Sequence, residues 1–353
     1  MDFEVSDDRR MLADTLSRFL SSDYDIAARN KVAYAAPYHS PEKWAALCEL
    51  GTLMALAPEE NGGFGGTGFD VTTVFQELGR ALCPEPVLAQ LMAIRLLMAA
   101  GEDLEGPLSG TTRYAVAIGE LSAPYTLDLI ETEASGGTLT GRKSVVYGAP
   151  GADRILVAAM AGGTLGVYEV DGSDARVTAY GMIDGGPAGE VFLDATQART
   201  VLADGAAALQ DALDWGTLAL CAEAVGAMDW SFATLLDYLR TRKQFGKRIG
   251  DFQALQHRAV DVSIEIEQAR SITILAASRM GTPEQSRTCS MAKNLIGRAA
   301  KLTAEETIQM HGGIAMTWEY PLSHYAKRLT MLDAQLGDTD FHLERVMAAH
   351  MAA

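Results

Sequence analysis

The feature that most constrains this chain is a change of rhythm part-way along it. Residues 106–200 break into short runs, RYAVAIG, DLIETEA, GTLTG, RILVAAM, LGVYEV, RVTAYGM and GEVFLD, separated by Gly, Asp and Pro. Runs this short and this often punctuated predict an antiparallel β domain, a small barrel or sandwich. On either side the apolar residues recur with helical spacing. The order helical, β, helical makes the chain α+β and predicts three domains: 1–105 helical, 106–200 β, and 201–353 a four-helix bundle.

In the first region Ser6 can cap a helix, with Asp7 and Asp8 suited to its positive start. Leu12, Leu16, Phe19 and Leu20 then form one apolar stripe. PEKWAALCELG predicts a second helix, with Pro41 early and Gly51 as a stop. VTTVFQELGRAL and PVLAQLMAIRLLMAAG predict two more. The loop between them and the second helix, APEENGGFGGTGFD, is rich in glycine. No strand precedes it and no Gly-Lys-Ser/Thr closes it, so it reads as a helix connector and not as a phosphate loop. In the last region, one long periodic stretch ends at RKQFG. Three helices follow it, the last ending at VMAAHMAA. Their apolar faces are broader than one bundle needs, which predicts oligomerisation.

With 353 residues, 48% of them apolar, the chain can bury a large core. A net charge of -17 argues against nucleic acid as a partner, because phosphate binding needs clustered Lys and Arg. An anionic ligand must be met by local cations. Cys48, Cys83, Cys221 and Cys289 are widely spaced with no C-x-x-C, as expected of reduced thiols in a cytoplasmic protein. MDFEVSDDRRML is too acidic for a signal peptide. No uninterrupted apolar run reaches the ~18 residues of a membrane span. No metal site is expected.

Two stretches carry chemistry. RTRKQFGKRIGDFQALQHR ends one helix and begins the next. It gathers Arg240, Arg242, Lys243, Lys247 and Arg248 in an otherwise acidic chain. A guanidinium can fork onto phosphate, and Phe245 could stack on a ring. The same residues fit a solvated helix end, where cations suit the dipole. QMHGGIAMTWEYP places Gly312-Gly313 after a helix, with Gln309 and His311 as nearby donors. Such a turn either lets backbone approach a ligand or simply caps the helix.

Together and in this order, RKQFGK with FQ and QMHGGIAMTWEYP resemble two C-terminal signatures of the acyl-CoA dehydrogenase family. The α–β–α division and PEENGGFGG resemble it as well. The resemblance implies an FAD enzyme that desaturates an acyl-CoA thioester, in a tetramer where each subunit lends residues to a neighbour's flavin. Arg242, Phe245, Gln253, Gln309, Gly312 and Gly313 match the lending positions. A fixed cation, a ring and exposed N–H groups suit an anionic dinucleotide.

The family's catalytic base does not carry over. Counted from Gly312-Gly313, the usual Glu falls on Leu336, with Gly337 matching the Gly that follows it. The alternative position, 26 residues before Arg242, is Gly216, followed by Thr217. Asp338 and Asp214 lie two residues away, roughly 200° round a helix. In the β region AIGELSAPYT and KSVVYGAP replace the family's flavin-ring loop and strand, placing Ala117, Val145 and Tyr147 where Thr, Trp and Thr/Ser stand in relatives. This pattern resembles the non-catalytic subunits of heteromeric α2β2 acyl-CoA dehydrogenases of bacterial steroid side-chain degradation. It implies a heterotetramer with a homologous subunit. The alternatives are a self-sufficient homotetramer with a displaced base such as Asp338, and a member that binds acyl-CoA or a partner without redox chemistry.

Overall fold

A computed structural model describes residues 6–351. Its contacts divide the chain into two compact units. Among the described residues, one comprises 6–26, 71–83 and 217–351; the other comprises 27–70 and 84–216.

The second unit is built on a sheet. Strands β1 (Tyr114–Ala117), β2 (Glu133–Ser135), β3 (Thr138–Tyr147), β4 (Arg154–Ala161), β5 (Thr164–Asp171), β6 (Arg176–Gly181), β7 (Pro187–Gln197) and β8 (Arg199–Leu202) run in the order β6-β7-β3-β2-β4-β5-β8, with β1 on β4. The expected antiparallel pairing holds for most neighbours, but β1 and β2 each pair with β4 in parallel. The β4–β5 hairpin turns on Gly162-Gly163, both at positive φ, as a two-residue hairpin loop requires. Ala115, Leu139, Ile155, Val157, Val170 and Val191 fill the sheet's core.

Helices α3 (Pro41–Glu49), α5 (Val87–Ala100) and α6 (Glu105–Ser109) belong to the same unit. Ser40 caps α3 by accepting from the Lys43 N–H, and Pro41 opens it. A short helix not anticipated from the sequence, α2 (Ile26–Ala33), leads into this unit. Its Arg29 is buried and donates to the Asp184 carbonyl.

The first unit is helical. It holds α1 (Asp7–Asp23), most of α4 (Gly68–Arg80), the greater part of α7 (Ala206–Thr241), α8 (Gln253–Arg279) and α9 (Gln285–His311). Ser6 caps α1 as expected, and Leu16 and Leu20 are its buried face. α4 and α7 meet backbone to backbone. A Cβ added at Gly79 would lie 2.0 Å from the Glu223 carbonyl oxygen, and one at Gly226 would lie 2.0 Å from that of Gln76. Among the described residues α7 is the one helix long and apolar enough to cross a membrane, but 72% of its most apolar window is buried inside the protein.

The last stretch, expected as one helix, is two: α10 (Leu322–Ala334) and α11 (Thr339–Met351). The chain breaks at Leu336 and Gly337, with φ of 58° and 105°. The bundle therefore has three long helices and a broken fourth element.

Candidate functional site

α7 ends at Thr241 in a two-stranded hairpin, β9 (Lys243–Gln244) with β10 (Lys247–Arg248), where the sequence suggested only a join between helices. Its two-residue tip is Phe245-Gly246, with φ of 52° and 80°. A left-handed φ is strained for a bulky residue. Phe245 is nonetheless held there, 90% exposed, with the Phe252 ring edge-on to it. Arg242, Lys243, Lys247 and Arg248 are exposed. Arg242 makes no ion pair among the described residues. Gln253, also exposed, opens α8.

The second motif closes α9. His311 is buried, and its Nδ1–H donates to the Thr307 carbonyl at 2.7 Å. Its ring stacks on Tyr238, with centroids 4.4 Å apart, and lies 5.5 Å from the Tyr320 ring. Burial lowers its pKa, which keeps it neutral, and its Nε2 has no hydrogen-bond partner among the described residues. Tyr238 lies one turn before Arg242, so this stack pins the end of α7 beside the end of α9. Arg258 donates to Glu306 at 2.6 Å, which sets the start of α8 against the same end of α9. The structure thus brings Arg242, Phe245, Gln253, Gln309, Gly312 and Gly313 to one end of the helical unit, all exposed. Gly312 has φ 73° and ψ -153°, a region open essentially to Gly alone. Gly313 has an ordinary φ, and an added Cβ would meet nothing within 4 Å. Nothing among the described residues requires a glycine at position 313.

The Leu336 turn is a separate construction. Lys293, fully buried, donates from Nζ to the carbonyls of Asp333 (2.8 Å) and Gly337 (2.6 Å). His342 Nε2 donates to the Leu336 carbonyl at 3.0 Å, and its Nδ1 accepts from the Ser290 hydroxyl at 3.2 Å. Burial pushes Lys293 down to about 8 and His342 down to about 3. Asp333 Oδ1 accepts from the N–H and hydroxyl of Thr339. Arg328 forks onto Glu223 at 2.6 and 2.8 Å and donates to the Gln335 amide oxygen at 3.1 Å. A bulky residue at left-handed φ persists only where its surroundings over-determine it, and these contacts do so.

No acid stands at position 336. Asp338 accepts from the Phe341 N–H at 2.8 Å and so caps α11. Gly216 is buried within α7, and Asp214 accepts from the Gln210 amide.

In the sheet unit Ala117 is fully buried in the core, so no side chain at that position faces a ligand. Val145 stands out from a bulge in β3, with φ 51° and 42% exposure, and its N–H donates to Glu190. Glu190 also accepts from Arg142, Ser144 and Tyr180. Tyr147 ends β3, half-buried. Sequence reasoning missed the buried pair Lys143–Glu120 (2.7 Å), in which Glu120 also takes the N–H groups of Glu131 and Thr132. It missed Lys293 and His342 as well. The available signal was a Lys inside an otherwise core-forming run, in TLTGRKSVVY and in CSMAKNLIGRAA.

Residues 6–122 match the acyl-CoA dehydrogenase N-terminal domain, and residues 203–351 match its C-terminal domain. The acyl-CoA dehydrogenase IpdE2 of Mycobacterium tuberculosis is 30% identical over 325 residues, 91% of this chain and 91% of that protein. The chain belongs to the acyl-CoA dehydrogenase family. Among solved structures, a chain of the ChsE4-ChsE5 complex from Mycobacterium tuberculosis superposes with a TM-score of 0.92 at 24% identity, covering 100% of both chains. A chain of the Tcur3481-Tcur3483 steroid ACAD superposes with a TM-score of 0.89 at 27% identity, covering 98% of this chain and 99% of that one. The family thus has the same helical and β architecture as this chain, and it includes two-component complexes.

Proposed function

We propose that this chain is the supporting subunit of a heteromeric, FAD-dependent acyl-CoA dehydrogenase, and that the catalytic acid resides on a homologous partner. The observation that carries this reading is Leu336. The turn on which the family resemblance places the base is fully built, held by Lys293 and His342, yet it presents a side chain that cannot take a proton. A base must lie within hydrogen-bond reach of the proton it removes. The nearest acids, Asp333 and Asp338, are engaged in holding the turn and the start of α11.

The lending surface fits FAD. Arg242 is exposed, Phe245 projects at a hairpin tip, and among the described residues Arg242 makes no ion pair and no group fills the clearance at Gly313. Arg242 would meet the pyrophosphate, Phe245 would stack on a ring, and the Gly312-Gly313 backbone would approach closely. When bound, FAD supplies the hydride acceptor. The similarity to the Tcur3481-Tcur3483 steroid ACAD chain, at 27% identity, supports a two-component assembly and a steroid-type acyl-CoA as substrate.

The test is a visible spectrum and native mass of the chain alone, then after co-expression with a homologous family member from the same genome. A poorly loaded chain that becomes a yellow heterotetramer with one flavin per pair is the expected result. A yellow homotetramer with one flavin per chain, reduced by an acyl-CoA, would overturn the proposal.

A further inference from the structure

Within the helical unit, away from the hairpin and the Leu336 turn, α1, α4, α7 and α10 line a half-open cavity of about 370 Å³. That lies at the small end of the range for small-ligand sites, ~300–1,000 Å³. Trp230 and Tyr325, both on its wall, stack 3.8 Å apart and only 3° from parallel. The Tyr325 hydroxyl is spent on the Arg80 carbonyl. Trp230 is only half-buried and lines the cavity, and no other ring stacks on it among the described residues. Tyr24, also buried, adds to the aromatic wall.

The same wall carries Glu77, a carboxylate whose side chain is only 6% exposed. Arg80 and Ser17 take part of its accepting capacity. An ionised carboxyl offers about four acceptor positions, so two remain. Arg80 is not available to an anion, because Glu77 and Asp229 already hold it. Anionic ligands are therefore disfavoured. A buried acceptor beside a flat aromatic stack suits a ring that carries its own N–H donors.

We infer that this cavity binds a planar, amino-substituted nitrogen heterocycle, stacked on the Trp230–Tyr325 pair with its amine donating to Glu77. The site is independent of the flavin surface and of the identity of residue 336. Burial raises the Glu77 pKa, and a donor brought by the ligand favours its ionised form.

The probe is adenine, titrated calorimetrically into the full chain, with purine, which lacks the amine, as comparator. Saturable one-site binding is expected, weakened about tenfold or more for purine, for Glu77→Gln and for Trp230→Leu. Because Glu77 also anchors Arg80, Ser21→Phe supplies a second variant. Ser21 is exposed at the rim, and a ring there blocks entry without touching the Glu77 contacts. Circular dichroism confirms that each variant is folded. Absence of saturable heat, equal binding of purine and adenine, or binding unchanged in both Trp230→Leu and Ser21→Phe would overturn the assignment.

Discussion

Tyr238 and His311 stack with ring centroids 4.4 Å apart, and this contact helps join the two sequence motifs of the helical unit. One ring stands a turn before the basic hairpin, and the other stands immediately before the Gly-Gly turn. A double-mutant cycle of Tyr238→Leu and His311→Leu, read by urea unfolding, is expected to give a coupling of about 0.5–1.5 kcal/mol, the range for ring pairs. The same variants should lower flavin retention in the co-purified complex. Additive effects with flavin retained would show that the two motifs do not act as one surface.

The two glycines of the turn should respond oppositely. Gly312→Ala forces a Cβ into a backbone region that Gly alone adopts, so a loss of roughly 1–3 kcal/mol is expected. Gly313→Ala meets open space at ordinary φ and should leave the melting temperature unchanged or slightly raised. Gly313→Val should nonetheless reduce the FAD content of the complex. Full flavin occupancy in that variant would show that nothing docks against position 313.

His342 makes the helical unit sensitive to acid. Burial holds its pKa near 3, against 6.5 for a free imidazole, so the folded chain keeps it neutral while the unfolded chain protonates it. Its contribution is complete above about pH 6.5 and declines as pH falls toward about 3, at up to roughly 1.4 kcal/mol per pH unit. His342→Gln, whose amide can still donate to the Leu336 carbonyl, should flatten that part of the stability curve. An unchanged acid limb would mean that the imidazole titrates normally in the folded chain.

Asp338 discriminates between a cap and a base. Asp338→Asn keeps a good N-cap and should leave both stability and turnover of the co-expressed complex intact, whereas Asp338→Ala should cost about 1 kcal/mol. Turnover lost in the Asn variant with stability preserved would return Asp338 to the catalytic role.

Lys143 and Glu120 form a buried pair, and removing one partner leaves the other charge uncompensated. Lys143→Met is expected to cost about 3–5 kcal/mol in thermal or urea unfolding, with much of it recovered in Lys143→Met/Glu120→Leu. No recovery in the double variant would assign the loss to packing.

Much of this architecture is legible in the sequence because its signals are local. Ser6 announces its helix by short-range capping, and Pro41 and Gly51 bracket the next by the backbone each allows. What escaped is set by distant residues. The parallel partnership of β1 with β4 joins segments 40 residues apart in register, Tyr114 against Arg154, and no periodicity records it. The break between α10 and α11 follows from Lys293, more than 40 positions upstream, gripping the Gly337 carbonyl. The Phe245 tip lay hidden because a run of Arg, Lys and Gln reads equally well as helix end or strand. Arg242, Gln309 and the two glycines were legible as a motif, but their gathering at one end required the Tyr238–His311 and Arg258–Glu306 contacts.

The Leu336 turn separates architecture from chemistry. Lys293 and His342 grip it through the main-chain oxygens of Asp333, Leu336 and Gly337, and Asp333 and Asp338 brace it through Thr339 and Phe341. None of these bonds involves the Leu336 side chain. The frame is therefore indifferent to what it displays, and acid or hydrocarbon can stand at this point without a folding defect to repair. A division of labour between two chains can begin from such a socket, with the occupant changing while the socket stays.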